Sequence, residues 1–137
     1  MKVKIVAAIG NNRELGQDGD LPAWRLASDM ERFKRLTQGS VVVMGRKTYE
    51  SLPERFRPLP GRVNVVLTTD KNWEASGVIV CNKVSEVLKK FENENSIWII
   101  GGSQIYNEFI KQTHELHITH VEGEFPADAF FPEIEPA

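Results

Sequence analysis

Five short apolar runs, separated by helical patterns, constrain this chain most: Val3–Ile9, Val41–Met44, Val63–Leu67, Val78–Cys81 and Ile97–Ile100. They are rich in Val and Ile and lack in/out alternation, as strands buried on both faces do. Between them, Asp29–Gln38, Lys47–Leu52, Val84–Phe91 and Ser103–Ile110 carry helical periodicity, and Leu116–Val121 reads as a further strand. Strand–helix alternation predicts an α/β fold with a mostly parallel central sheet flanked by helices. Gly16–Pro22 and Pro53–Gly61 collect the Gly and Pro expected of surface loops. No repeat, low-complexity tract or linker divides the 137 residues, so residues 1–137 are expected to form a single domain.

The same composition excludes several classes. A net charge of −2 with no basic cluster argues against nucleic acid as partner and against an anionic membrane surface. No run reaches the length of a membrane span, and the amino-terminal apolar stretch is too short for a secretory signal. The single cysteine, Cys81, ends an apolar run and reads as a packed residue in a reducing, cytoplasmic compartment. No metal site is expected.

In a parallel sheet, ligands bind beyond the carboxyl ends of the strands. Three of those ends share a chemistry here. "VVVM" runs into Gly45, Arg46, Lys47 and Thr48; "VNVVL" into Thr68, Thr69, Asp70 and Lys71; "IWII" into Gly101, Gly102, Ser103 and Gln104. Glycines admit close backbone approach, helix starts favour anions, and the cations and hydroxyls suit phosphates. Singly, a Gly-Gly after a strand is more often just a tight turn and Arg46–Lys47 is usually a solvated pair of cations; three such loops on one sheet edge are harder to dismiss. The pattern of a P-loop, G-x-x-x-x-G-K-[ST], is absent, and so is G-x-G-x-x-G after the first strand.

One residue breaks the helix pattern. At about 100° per residue, Asp29 falls inside the apolar stripe of Leu26, Phe33 and Leu36, opposite Glu31, Arg32, Lys34 and Arg35. An ionised carboxylate there needs a partner. The plain alternative is a helix-start acid, and Ser28 to Glu31 has capping-box spacing. Upstream, "AAIGNNRELGQDGDLPAW" combines small Ala7 and Ala8 with a polar, Gly-containing stretch that reads as a lid.

The pieces "IVAAIGNNRELGQDGDLPAW", "DMERFKRLT", "VVVMGRKTYESL", "RPLPGRVNVVLT", "IIGGSQIY", "LHITHVEGEF" and "DAFFP" resemble dihydrofolate reductases in order and spacing over nearly the whole chain. The resemblance implies NADPH-dependent reduction of 7,8-dihydrofolate to tetrahydrofolate, feeding one-carbon metabolism, with antifolates as inhibitors. Hydride would pass to pterin C6 and a proton would reach N5. Asp29 would hold the pterin's N3 and 2-amino group, with Thr119 supporting it, Trp24 holding a water nearby and Leu21 lying in the lid. Apolar surroundings are expected to raise the Asp29 carboxyl above the usual carboxylate range.

On the same grounds Val6, Ala8, Met30, Phe33, Leu52, Leu59 and Ile100 would line the substrate pocket, and Arg62 would grip the substrate's α-carboxylate. The cofactor would lie against Ala8, Ile9, Leu15, Gly16, Gly45, Arg46, Lys47, Thr48, Leu67, Thr68 and Thr69. It would also meet Ile100, Gly101, Gly102, Ser103, Gln104, Ile105 and Tyr106. Gln104 stands where the family often has a cation, so NADPH is expected to be preferred over NADH, but less strongly. Ala23 and the long "SLPERFRPLPG" loop read as tolerated surface changes. Family members continue past "FFPEIEP" into a terminal two-strand hairpin, whereas this sequence stops at Ala137: the expectations are a fragment, a sequence that gives only part of the chain, or a short variant whose bare Leu116–Val121 edge pairs or swaps between two copies, members otherwise being monomers. The rival readings are an inactive folate- or nucleotide-binding fragment and a same-fold reductase of the riboflavin pathway.

Overall fold

The computed structural model describes residues 1–9, 13–16, 27–120 and 129–132, apart from the side chains of residues 14, 16, 27–30 and 129. Its strands are β1 (Lys2–Ile9), β2 (Glu14–Gly16), β3 (Val41–Gly45), β4 (Val63–Leu67), β5 (Val78–Cys81), β6 (Ser96–Gly101), β7 (Glu115–His120) and β8 (Ala129–Phe130). Its helices are α1 (Ala27–Thr37), α2 (Arg46–Ser51), α3 (Val84–Lys90) and α4 (Ser103–Phe109). Six strands form one sheet in the order β5-β4-β3-β6-β1-β7, and every pairing in it is parallel.

The unbroken apolar runs have the expected cause: both faces are covered. One layer joins Val3, Ile5, Val43, Val65 and Ile99 to Val87 and Phe91 at α3 and to Ile105, Tyr106 and Phe109 of α4. The other joins Val6, Val42, Met44, Val66, Trp98 and Ile100 to Phe33 and Leu36 of α1. α1 is amphipathic as predicted, with Glu31, Lys34 and Arg35 exposed and Thr37 buried. It starts earlier than expected: Ser28 is its second residue, so the Ser28–Glu31 capping box does not form the helix boundary. β7 starts one residue before the predicted strand and, among the described residues, pairs only with β1. No helix of the described residues is long and apolar enough to cross a membrane. Cys81 is fully buried, and that burial, with Glu86 nearby, pushes its thiol pKa up and away from nucleophilic use.

The ribbon of β2 and β8 was not predicted. It pairs Glu14 with Phe130, and Phe131 seals it by donating its N–H to Arg13 O at 2.8 Å. Phe131 itself is buried against the Tyr106 ring, centroids 5.0 Å apart.

The loop before β4 is folded back by a buried polar side chain. Asn64 Oδ1 accepts the Leu59 N–H at 2.9 Å, and its Nδ2 donates to Leu59 O at 3.0 Å and Arg62 O at 3.1 Å. Replacing Asn64 by Ala orphans the Leu59 amide in a buried site. Urea unfolding is expected to show a loss of about 2–3 kcal/mol; an unchanged midpoint would refute this account of the loop.

Candidate active site

The sheet opens at its carboxyl edge. β1 and β6 pair from Lys2–Ser96 to Ile5–Ile99, whereas β1 and β7 stay paired out to Ile9–His120. The β3–β6 register also slips, with Val43 opposite Ile99 but Met44 opposite Gly101. Parting strands leave backbone groups that need new partners. Tyr106 supplies one: its buried hydroxyl donates to Val6 O at 2.9 Å. Burial pushes the Tyr106 phenol far above its ordinary value, so it stays a donor. Gly101, where β6 ends, has φ 124°, a conformation open to glycine, and a Cβ there would stand 3.2 Å from Tyr106 Oη. The peptide between Gly101 and Gly102 is cis.

Beyond the ends of β3, β4, β5 and β6 lies a cleft of about 1200 Å³. Of the residues assigned to the cofactor from sequence, Leu15, Gly45, Arg46, Lys47, Thr48, Leu67, Thr68, Thr69, Gly102, Ser103, Gln104 and Ile105 line it. Ala8, Ile9, Ile100, Gly101 and Tyr106 are buried in the sheet and its packing layer. Gly16 is in β2. Ile105 lies under Gly45: a Cβ on that glycine would meet Ile105 Cγ1 at 3.0 Å. α2 and α4 open onto the cleft but have only six and seven residues. Their dipoles are correspondingly small, so side chains and close backbone approach carry most of its chemistry.

Two observations go beyond the sequence reading of this cleft. Asn82, Lys83 and Val84 line it from the end of β5, a fourth strand end that the sequence reading left out. The Asn82 Nδ2 donates to Thr68 O at 2.7 Å and ties that end to β4. The second is that Arg46 lines the cleft while paired, with Asp70 and Glu50 standing 3.3 and 3.4 Å from its guanidinium.

On the α1 side of the sheet, Val6, Leu52, Leu59 and Ile100 belong to one buried layer, against which Phe33 packs. Ala8 sits beside Thr119 in the β1–β7 register. The Thr119 hydroxyl accepts a hydrogen bond from Arg32 Nη1, which joins α1 to β7. Arg62 reaches the end of α1: its Nη1 donates to Thr37 Oγ1 at 3.1 Å, and its guanidinium carbon lies 5.7 Å from the Phe33 ring centroid. Burial lowers the Arg62 pKa from its ordinary value. None of its contacts among the described residues is with a carboxylate. Leu21 and Trp24 lie outside the described residues, and so do the side chains of Asp29 and Met30, whose backbones belong to α1.

Comparison with known proteins gives this arrangement a lineage. The family model for dihydrofolate reductase matches residues 2–137. The dihydrofolate reductase of Aedes albopictus is 39% identical, over 97% of this chain and 80% of that protein. Those of Staphylococcus haemolyticus and Bacillus subtilis are 35% and 36% identical, over 98% and 97% of this chain and 78% and 77% of theirs. A match of that identity and extent, on a parallel sheet that opens between β1 and β6, leads to one assignment: the chain belongs to the dihydrofolate reductase family.

Proposed function

We infer that the protein is an oxidoreductase that reduces 7,8-dihydrofolate to 5,6,7,8-tetrahydrofolate, with NADPH as electron donor. The observation that carries the substrate reading is Arg62, a half-buried guanidinium whose contacts among the described residues are a hydroxyl, a carbonyl and a ring. A partly desolvated cation in that setting suits a carboxylate ligand, which guanidinium grips in two-pronged fashion. Dihydrofolate carries an α-carboxylate in its glutamate tail; a riboflavin-pathway pyrimidine has none.

The cleft fits the cofactor by its chemistry. It offers the cations Arg46, Lys47 and Lys83, the hydroxyls of Thr48, Thr68, Thr69 and Ser103, and backbone at Gly45 and Gly102. NADPH, when bound, supplies the hydride that reduces pterin C6. The remaining work falls to the chain. Arg62 holds the tail, and the Phe33, Leu52 and Leu59 layer receives the flat rings and excludes water. Asp29 pairs with the pterin's N3 and 2-amino group and raises the basicity of N5, and water delivers the proton. Methotrexate-type antifolates are expected to compete at the same acid.

Loss of NADPH absorbance on adding dihydrofolate tests the reading directly. Turnover is expected with dihydrofolate. Turnover with a riboflavin-pathway pyrimidine but not dihydrofolate would overturn the substrate assignment, and nucleotide binding without turnover would favour the inactive-fragment reading.

A further inference from the structure

We propose that Asp70, with Glu50, sets how strongly the cleft prefers a nucleotide bearing a 2′-phosphate, by competing for the Arg46 guanidinium. The proposal rests on the cofactor reading of the cleft given above. Arg46, the first residue of α2, is held from two sides. Its Nη1 is 3.3 Å from Asp70 Oδ2, and its Nε is 3.4 Å from Glu50 Oε1. Its guanidinium carbon also lies 5.8 Å from the Trp73 ring centroid, which adds a cation–π contact.

Asp70 is fixed by its own loop. Its Oδ1 accepts the Asn72 N–H at 3.0 Å, and its own N–H donates to Thr68 Oγ1 at 3.2 Å. This local turn aims the second carboxylate oxygen at Arg46. Thr68 is anchored in turn, its N–H donating to Cys81 O at 3.0 Å. The acid is thus placed by two strands, β4 and β5, while the cation is placed by α2.

Two carboxylates on one guanidinium leave a local excess of negative charge. The family resemblance puts Gly45–Thr48, Thr68 and Thr69 around the cofactor's phosphates, the 2′-phosphate included, and such an ester must displace at least one of the two carboxylates to reach Arg46. A free 2′-hydroxyl need not, because it can donate to the carboxylate. The side chains of Arg46, Asp70 and Glu50 are 42, 46 and 48% exposed, so each pair is individually weak and the latch yields to a phosphate. Asp70 therefore narrows the discrimination between the two nucleotides without abolishing it.

Calorimetric titration of the full chain with adenosine 2′,5′-bisphosphate and with 5′-AMP tests this without turnover. Asp70→Asn removes the charge yet keeps an oxygen for the Asn72 N–H, so the loop turn survives. It is expected to tighten the bisphosphate by about fivefold and to leave 5′-AMP unchanged. Glu50→Gln is expected to act in the same direction. An unchanged bisphosphate affinity in Asp70→Asn, or equal tightening of both nucleotides, overturns the proposal. A wild-type chain that binds neither nucleotide overturns the cofactor reading itself, a different result from a failure confined to the variant.

Discussion

Asp29→Asn is expected to lower kcat for dihydrofolate at neutral pH by roughly 10²- to 10³-fold, within the range set by loss of a group that governs proton transfer. Residue 29 lies in α1, one turn before Phe33, which packs against the apolar layer beneath the helix. Asparagine matches the size of aspartate and keeps one oxygen, so the variant separates charge from shape. The amide can still accept a hydrogen bond from the pterin's 2-amino group. It carries no negative charge to favour a proton on N5. The loss should therefore fall on kcat more than on KM, and the residual rate should climb steeply as pH falls, because protonation then depends on the bulk acid. Steady-state kinetics across a pH series checks both features. An Asn variant with unchanged kcat at neutral pH would remove Asp29 from the mechanism.

The central sheet was readable because its signal is local. Val63–Leu67 and Val78–Cys81 match β4 and β5 residue for residue, and β3 and β6 differ from prediction only by flanking residues. Runs covered on both faces need no partner information to be recognised. β2 and β8 are three and two residues long, too short for any periodicity, and pair Glu14 with Phe130 across most of the chain. Only tertiary contact makes strands of them. The helix start at Ala27 rather than Asp29 is a boundary effect, because residues on either side of a cap differ little in propensity.

The cleft is legible in the sequence wherever a strand end carries glycines, hydroxyls or cations. Reading chemistry at strand ends located Gly45–Thr48, Thr68–Thr69 and Gly102–Gln104. The same rule at the end of β5 points to Asn82 and Lys83, which the structure brings to the cleft wall. What the rule cannot reach is pairing between side chains distant in sequence. Arg46 and Asp70 are separated by 24 positions, and nothing in either loop alone says that one occupies the other. The Arg32–Thr119 bond, which spans 87 positions, is of the same kind.

Arg62→Leu is expected to raise KM for dihydrofolate by roughly 10- to 100-fold, the worth of a charged hydrogen bond, with kcat little changed. Arg62 contacts Thr37, Pro60 and the Phe33 ring, and so sits at the end of α1 rather than at the open edge between β1 and β6. A group holding the far end of the substrate contributes equally to ground state and transition state, which moves KM and spares kcat. Leucine keeps apolar cover over Phe33, so lost packing is a small part of the effect. A dihydropterin without the glutamate tail supplies the decisive control. Its KM should be the same for wild type and Arg62→Leu, since it has no carboxylate to lose. Arg62→Lys should recover only part of the affinity for dihydrofolate, because an ammonium restores charge without the planar fork. An equal KM increase for the tail-less pterin would assign Arg62 to the architecture of the loop. An unchanged KM for dihydrofolate would mean that the carboxylate is held elsewhere, and that the half-buried guanidinium serves only to join Thr37 of α1 to the loop before β4.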